Sequence, residues 1–239
     1  MVIRKIHQIF FSFDNRQLND FPVFVRSHED FRNMGWEYKL WNERDAEELC
    51  LDRYPHIWET YKGLPYDIQR VDLAKYMIVD TYGGVFSDLD VLPKCHLSEF
   101  VNAQPYVFDR CSRANTIAND FFYVGPAGLP GLFDYFLSNL SRVNAIPVYR
   151  QRKMRYVFHT TGPDFFTRYL KRSGLNIHTV AISDRTFLDS RQRHRSVNSP
   201  NPFLEIVHHL SWAGHVTKAC PVLKNSVGPS GEPTEFCAS

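Results

Sequence analysis

Val71-Asp72-Leu73-Ala74-Lys75-Tyr76-Met77-Ile78-Val79-Asp80-Thr81-Tyr82-Gly83-Gly84-Val85-Phe86-Ser87-Asp88-Leu89-Asp90 compresses a helix, a turn and a strand into one stretch. Apolar residues at 71, 74, 78 and 82 keep a helical spacing, which predicts a helix over about 66–82. Gly83 stands where a helix end favours a left-handed residue. The short apolar run 85–87 then reads as a buried strand with an acidic tip. Asp88 and Asp90 are two apart, so on an extended segment their side chains share a side. Carboxylates paired in this way suit a hard divalent cation such as Mg²⁺ or Mn²⁺, which is often shared with phosphates. An isolated Asp-x-Asp, however, is more often a solvated turn. Asp72, Lys75 and Tyr76 fall on neighbouring parts of one helix face, where the plainer reading is a surface ion pair.

Working outward, strand-like segments near 3–10, 36–41, 85–87, 105–108 and 121–124 alternate with helical stretches near 17–33, 43–51, 56–62, 66–82 and 130–141. That alternation predicts an α/β fold, a parallel or mixed sheet with helices on both faces and its ligand site beyond the carboxyl ends of the strands. With 239 residues, 44% of them hydrophobic and 15% aromatic, a single domain can bury a large core. We expect that domain to span 1–222, followed by a flexible tail over 223–239. The polar, arginine-rich segment 185–202 reads as a mobile loop. A net charge of +2 and the lack of any nucleic-acid motif argue against a nucleic-acid partner. No apolar run is long enough for a transmembrane helix, and the N-terminus reads as a strand rather than a signal peptide. Five widely spaced cysteines show no zinc spacing and fit free thiols in a reducing compartment; a Cys220–Cys237 bridge is the open alternative.

Arg70-x-Asp72-x-x-Lys75-Tyr76 followed by Gly83-Gly84-x-Phe86-x-Asp88-x-Asp90 resembles the core of the DxD-containing sugar-nucleotide glycosyltransferases. Fungal initiating mannosyltransferases and inositol-phosphoceramide mannosyltransferases typify that family. The resemblance extends to Ile6-His7-Gln8-Ile9-Phe10, Leu40-Trp41, Ala118-Asn119-Asp120-Phe121-Phe122, Thr161-Gly162-Pro163 and His208-His209-Leu210-Ser211-Trp212, in the family's order. The chain departs from the pattern at Lys75, where the family has arginine, at Phe86, where it has tyrosine, and at Phe10, where it has tryptophan. The resemblance implies a glycosyltransferase-A-like (Rossmann-like) fold and a Mn²⁺- or Mg²⁺-dependent transferase that retains anomeric configuration. Its partners would be a nucleotide sugar, GDP-mannose or a UDP-hexose, and a glycan or glycolipid acceptor. Peripheral membrane contact is compatible with that acceptor, and the expected setting is cytoplasmic or that of an excised Golgi-type catalytic domain.

The same resemblance implies roles for single residues. Asp90 would ligate the metal directly, and Asp88 would contact it through water or touch the ribose. One of His208 and His209 would be a third ligand, the other a core histidine; Ser211 and Trp212 would meet the diphosphate. Phe10 and Trp41 would pack on the nucleobase, with ordinary core packing as the alternative, and backbone groups at His7 and Gln8, at the carboxyl end of the first strand, would read the base edge. Asp72 and Lys75 would orient donor hydroxyls. Asn119 and Asp120, at the end of a loop, would contact the sugar or acceptor, while Thr161 and Gly162 would shape the acceptor side. Two rival readings use the same residues: an inactive binder of sugar nucleotide or glycan, and a metal-dependent phosphoesterase or nucleotidyltransferase.

Overall fold

The computed structural model describes residues 2–207 except 14, 95, 112–115, 147–152, 181–182, 189–193 and 198–203. For 111, 183–188, 194–197 and 204–207 it describes the backbone alone. The chain begins with β1 (Lys5–Ile9), α1 (Pro22–Arg32), β2 (Glu37–Trp41), α2 (Glu43–Arg53), α3 (Trp58–Lys62) and α4 (Asp67–Tyr82). Next come β3 (Gly84–Ser87), β4 (Val91–Pro93), α5 (Leu97–Val101), β5 (Tyr106–Cys111), β6 (Thr116–Val124) and α6 (Leu132–Asn144). It continues with α7 (Lys153–Thr160), α8 (Pro163–Ser173), β7 (His178–Val180), β8 (Ser183–Leu188), β9 (His194–Val197) and β10 (Leu204–Val207).

Six strands form the main sheet in the order β2-β1-β3-β6-β5-β7. Only β6 runs against the others, because its pairings with β3 and β5 are antiparallel while the remaining pairings are parallel. This is the mixed, mostly parallel sheet that the alternation predicts. Side chains divide between its faces with period two. Phe86, Phe108, Phe122 and Val124 pack on α4, α6 and α8, whereas Val85, Val107, Phe121 and Tyr123 pack with Phe31 of α1 and with α5. Helices therefore cover both faces. Each buried phenylalanine contributes on the order of 1.5–3 kcal/mol of hydrophobic stabilisation.

Two glycines make the helix-to-strand turn. Gly83 has φ 61° and caps α4 by donating its N–H to the Val79 carbonyl at 2.9 Å. Gly84 has φ 97°, and a Cβ there would lie 2.6 Å from the Lys5 carbonyl oxygen. Close approach of β1 therefore requires glycine at that position.

A second, four-stranded sheet has the order β4-β10-β8-β9. It corrects the expectation of a loop over 185–202: residues 183–188 and 194–197 pair as an antiparallel hairpin, with Arg185 opposite Val197 and Leu188 opposite His194. The polar composition that suggested a loop is thus carried on paired strands. Among the described residues no helix is long and apolar enough to cross a membrane.

Candidate active site

Asp88 and Asp90 lie where the two sheets meet. β3 ends at Ser87, and β4 starts at Val91 and pairs with β10 instead of the main sheet. The residues between them are not extended: the Val91 N–H donates to the Asp88 carbonyl at 3.2 Å, closing a tight turn. The sequence argument from strand alternation therefore fails here, because leaving one sheet for another demands a turn. That turn nonetheless keeps both carboxylates in one electrostatic cluster with Asp120. The Asp88 backbone is fixed from behind: its N–H donates to the Asp120 carbonyl at 2.7 Å, and its carbonyl accepts from Ser87 Oγ at 3.1 Å and Gln8 Nε2 at 3.5 Å.

Lys75 sits under this cluster, its side chain only 3% exposed. Its Nζ lies 3.1 and 3.4 Å from the two Asp88 carboxylate oxygens, 3.2 Å from the Asn119 carbonyl and 3.4 Å from Asp72 Oδ1. Burial pushes the ammonium pKa down, but Asp88 and Asp72 outweigh it, so the pKa ends above the ordinary lysine value. Asp72 is buried as well. It accepts from Asn119 Nδ2 at 3.0 Å and from Thr161 Oγ at 2.9 Å. Tyr76 joins the same knot, its hydroxyl donating to the Thr161 carbonyl at 2.9 Å and accepting from Asn119 Nδ2 at 3.1 Å. The surface ion pair that helix spacing alone would suggest is thus an interior network.

Among the described residues, the carboxylates of Asp88, Asp90 and Asp120 act on one another and on Lys75. Burial raises the Asp90 carboxyl well above the usual carboxylate range, and repulsion from Asp88 and Asp120 adds to this. Burial also raises Asp88, which ends at about 6 as Lys75 pulls it down and Asp120 pushes it up. An all-oxygen, anionic cluster of this kind fits a hard divalent cation, with Asp88 and Asp90 as the holders and Asp120 beside them. Among the described residues, no three His, Cys, Asp or Glu side chains already form a ready metal-ligand set.

The remaining sequence candidates separate by position. His7 lies inside the main sheet, accepting from the Trp41 indole N–H at 3.2 Å and meeting the Gly83 carbonyl at 3.0 Å. That arrangement places its proton on Nε2, and burial lowers its pKa to about 4. Gln8, fully buried, accepts from the Tyr38 hydroxyl and donates to Ser27. These two side chains brace the sheet and the Asp88 turn and do not reach an open surface. Trp41 corrects the nucleobase expectation: it is 3% exposed, its N–H reaches back along the sheet to His7, and Lys39 Nζ stands 3.6 Å from its ring centroid. No open ring face remains for a base.

Phe10 is placed differently. It follows β1 and borders an open groove of about 620 Å³ at the carboxyl ends of β1 and β2, with Ser12, Asn42, Glu43, Glu47 and Lys62 among the lining residues. Ile9 is the last residue of β1, the strand that pairs in parallel with β3, so groove and acidic turn share one edge of the sheet. The groove acids escaped the sequence reading. Their signal was the i,i+4 spacing of Glu43 and Glu47 on α2, whose other face buries Ala46, Leu49 and Cys50.

Asn119 and Asp120 correct another expectation. They lie within β6, which begins at Thr116, not at a loop end. Thr161 and Gly162 stand behind Asp72 at the start of α8, and Thr161 is fully buried. His208, His209, Ser211 and Trp212 lie outside the described residues, as do Cys220, Cys237 and the tail 223–239. β10, which ends at Val207, pairs with β4 so that Ile206 faces Val91, the residue after Asp90.

Comparison with known proteins agrees with this geometry. Residues 15–108 match the family described as glycosyltransferase sugar-binding region containing DXD motif. Inositol phosphoceramide mannosyltransferase 1 of Schizosaccharomyces pombe is 27% identical over 214 residues, which is 88% of this chain and 62% of that protein. An uncharacterized glycosyltransferase of Acanthamoeba polyphaga mimivirus is 24% identical over 200 residues, 80% of this chain and 75% of its own length. A mannosyl phosphorylinositol ceramide synthase of Saccharomyces cerevisiae is 38% identical over a 55-residue segment, 23% of this chain and 14% of that protein. Among solved structures, the PaToxG glycosyltransferase aligns with a TM-score of 0.46 at 15% identity, covering 72% of this chain and 70% of that one. The chain thus spans less than two thirds of the first relative's length. The resemblance read from residues 70–90 is borne out: this chain carries the DXD-containing sugar-binding region of the glycosyltransferases, and its homologues include yeast inositol phosphoceramide mannosyltransferases.

Proposed function

We propose that this protein is a divalent-metal-dependent, retaining glycosyltransferase that moves a hexose from a nucleotide sugar to a glycan or glycolipid. GDP-mannose is the favoured donor, because one relative is named a mannosyltransferase and another a mannosyl phosphorylinositol ceramide synthase, and UDP-hexoses come next. One observation carries the reading: a turn that clusters the carboxylates of Asp88 and Asp90 with that of Asp120 shares the carboxyl edge of the sheet with a groove large enough for a nucleoside.

In this reading the groove takes the nucleoside with its base against Phe10, and the diphosphate extends toward Asp88 and Asp90. A cation held there would neutralise the charge that builds on the departing phosphate. Asp120, on β6 beside the turn, faces the sugar or acceptor. Lys75, Asp72, Asn119 and Thr161 are too buried to touch a donor freely, so they hold Asp88 and β6 in register. Retention follows front-face attack, in which the acceptor hydroxyl passes its proton to the leaving phosphate, with no protein nucleophile required.

The test is incubation of the purified protein with Mn²⁺ and a panel of nucleotide sugars. Slow release of free hexose and nucleoside diphosphate from one donor supports the transferase and names that donor. Release of nucleoside monophosphate and sugar 1-phosphate would instead mark a phosphoesterase that cleaves the diphosphate bridge, and binding without any turnover an inactive relative.

A further inference from the structure

We infer that Lys75 is a resident counter-ion that makes the protein alone a poor trap for a bare divalent cation, so that the cation is taken up together with a nucleotide diphosphate. This rests on the reading of the acidic turn as a metal–nucleotide site. An ammonium has three N–H donors. Lys75 directs them into a closed set of acceptors: the Asp88 carboxylate at 3.1 and 3.4 Å, the Asn119 carbonyl at 3.2 Å and Asp72 Oδ1 at 3.4 Å. The Phe86 ring lies beneath, its centroid 5.1 Å from Nζ. With its side chain 3% exposed, Lys75 has no free path to solvent and stays when a second cation arrives.

Two consequences follow. A divalent ion must share Asp88 with a fixed positive charge already bonded to both its oxygens. It also approaches a neighbourhood that the same charge makes less negative. Among the described residues, Asp90 and Asp120 are the carboxylates that stand beside Asp88 in this cluster. A diphosphate brings further oxygens and negative charge, and the ion–nucleotide pair then binds beside the resident ammonium. Lys75 acts here through Asp88, as a positioning residue, and not by contact with the transferred sugar.

The test is calorimetric titration of the purified chain with MnCl₂, alone and in the presence of GDP or UDP. Wild type should bind Mn²⁺ alone weakly and far more tightly with the diphosphate. Lys75→Met keeps the length of the side chain and removes the charge; it should tighten binding of Mn²⁺ alone by about tenfold or more, and so shrink the gain from diphosphate. Because Lys75→Met strands the buried Asp72, the double variant Asp72→Asn/Lys75→Met restores balance behind the turn and should show the same tightening. A merely structural lysine would lower the melting temperature without tightening Mn²⁺ binding. Unchanged or weaker Mn²⁺ affinity in a folded variant, alongside diphosphate-dependent uptake in wild type, would overturn the inference about Lys75 alone. If wild type takes up no Mn²⁺ with either nucleotide, the metal–nucleotide reading falls and this inference with it.

Discussion

The two ends of α4 bury similar chemistry with opposite balance. Near its C-terminus, Asp80 accepts the Leu129 N–H at 2.5 Å and the Tyr54 hydroxyl at 2.7 Å, while His7 accepts from Trp41 and meets the Gly83 carbonyl. Each polar group there has partners of matching sense, and the cluster ties α4 to β1, β2 and α6's approach. In its N-terminal half, among the described residues, Asp72, Asp88, Asp90 and Asp120 cluster on the ammonium of Lys75. Burying like charges is costly unless something else arrives to satisfy them. The end whose polar groups are matched is a brace, and the carboxylate-rich end, with its Asp88 side chain 31% exposed, is a receptor.

The sharpest way to break this comparison is to neutralise one aspartate at each end. Asp90→Asn should cost about 2.7–4 kcal/mol of transition-state stabilisation, seen as kcat/KM for the preferred donor, because one electrostatic group at the leaving phosphate is lost. Its melting temperature should hold or rise, since repulsion within the cluster is relieved. Asp80→Asn should do the reverse, losing about 1–3 kcal/mol of stability through weakened buried hydrogen bonds while leaving kcat in place. A loss of stability in the first variant or of turnover in the second would erase the distinction.

A smaller effect separates the two aromatic residues assigned alike from sequence. Trp41→Phe removes the donor to His7 and should cost about 1–3 kcal/mol of stability without weakening GDP or UDP binding. Phe10→Ala should weaken nucleotide binding by about 0.5–1.5 kcal/mol, the scale of an aromatic contact, with little effect on unfolding. Isothermal titration with the free nucleotides decides between them, and equal affinity in both variants would move the base away from the groove.

Period and punctuation made most of the fold legible. The strands at 5–9, 37–41 and 84–87 and the helix at 67–82 follow from apolar spacing and from Gly83, because each of those signals is local. The hairpin through Arg185 and Arg195 was hidden, because its strands carry polar residues that composition assigns to loops. Within the site, Asp88 and Asp90 were visible as a motif. Their cooperation with Asp120 depends on β6 running antiparallel to β3, a pairing across more than 30 residues that no local pattern encodes. Trp41 misled for a related reason: an aromatic at a strand end looks the same in sequence whether its ring points to the ligand edge or back into the sheet. His7, at the non-adjacent position where that ring lands, settles which.

The smallest and most discriminating effect is in the pH dependence of stability, where the two ends of α4 should pull in opposite directions. Burial holds the His7 pKa at about 4, below its ordinary 6.5, so between those values the unfolded chain binds more protons and stability falls as the solution is acidified. Asp88 is raised from its ordinary 3.8 to about 6, and burial raises Asp90 as well, so across the same window the folded chain binds more protons and acidification adds stability. Each proton difference contributes a slope of at most about 1.4 kcal/mol per pH unit. In metal-free wild type these slopes oppose one another, and urea unfolding between pH 4.5 and 6.5, roughly the window set by these shifts, should show a shallow net dependence. His7→Gln should expose the acidic cluster and give a protein that grows more stable on acidification. Asp88→Asn/Asp90→Asn should expose His7 and give one that loses stability instead. Saturating Mn²⁺ should push wild type toward the behaviour of that double variant, because a bound cation keeps the carboxylates deprotonated in the folded state. If the two variants share one slope, the charge imbalance that separates receptor from brace is not there.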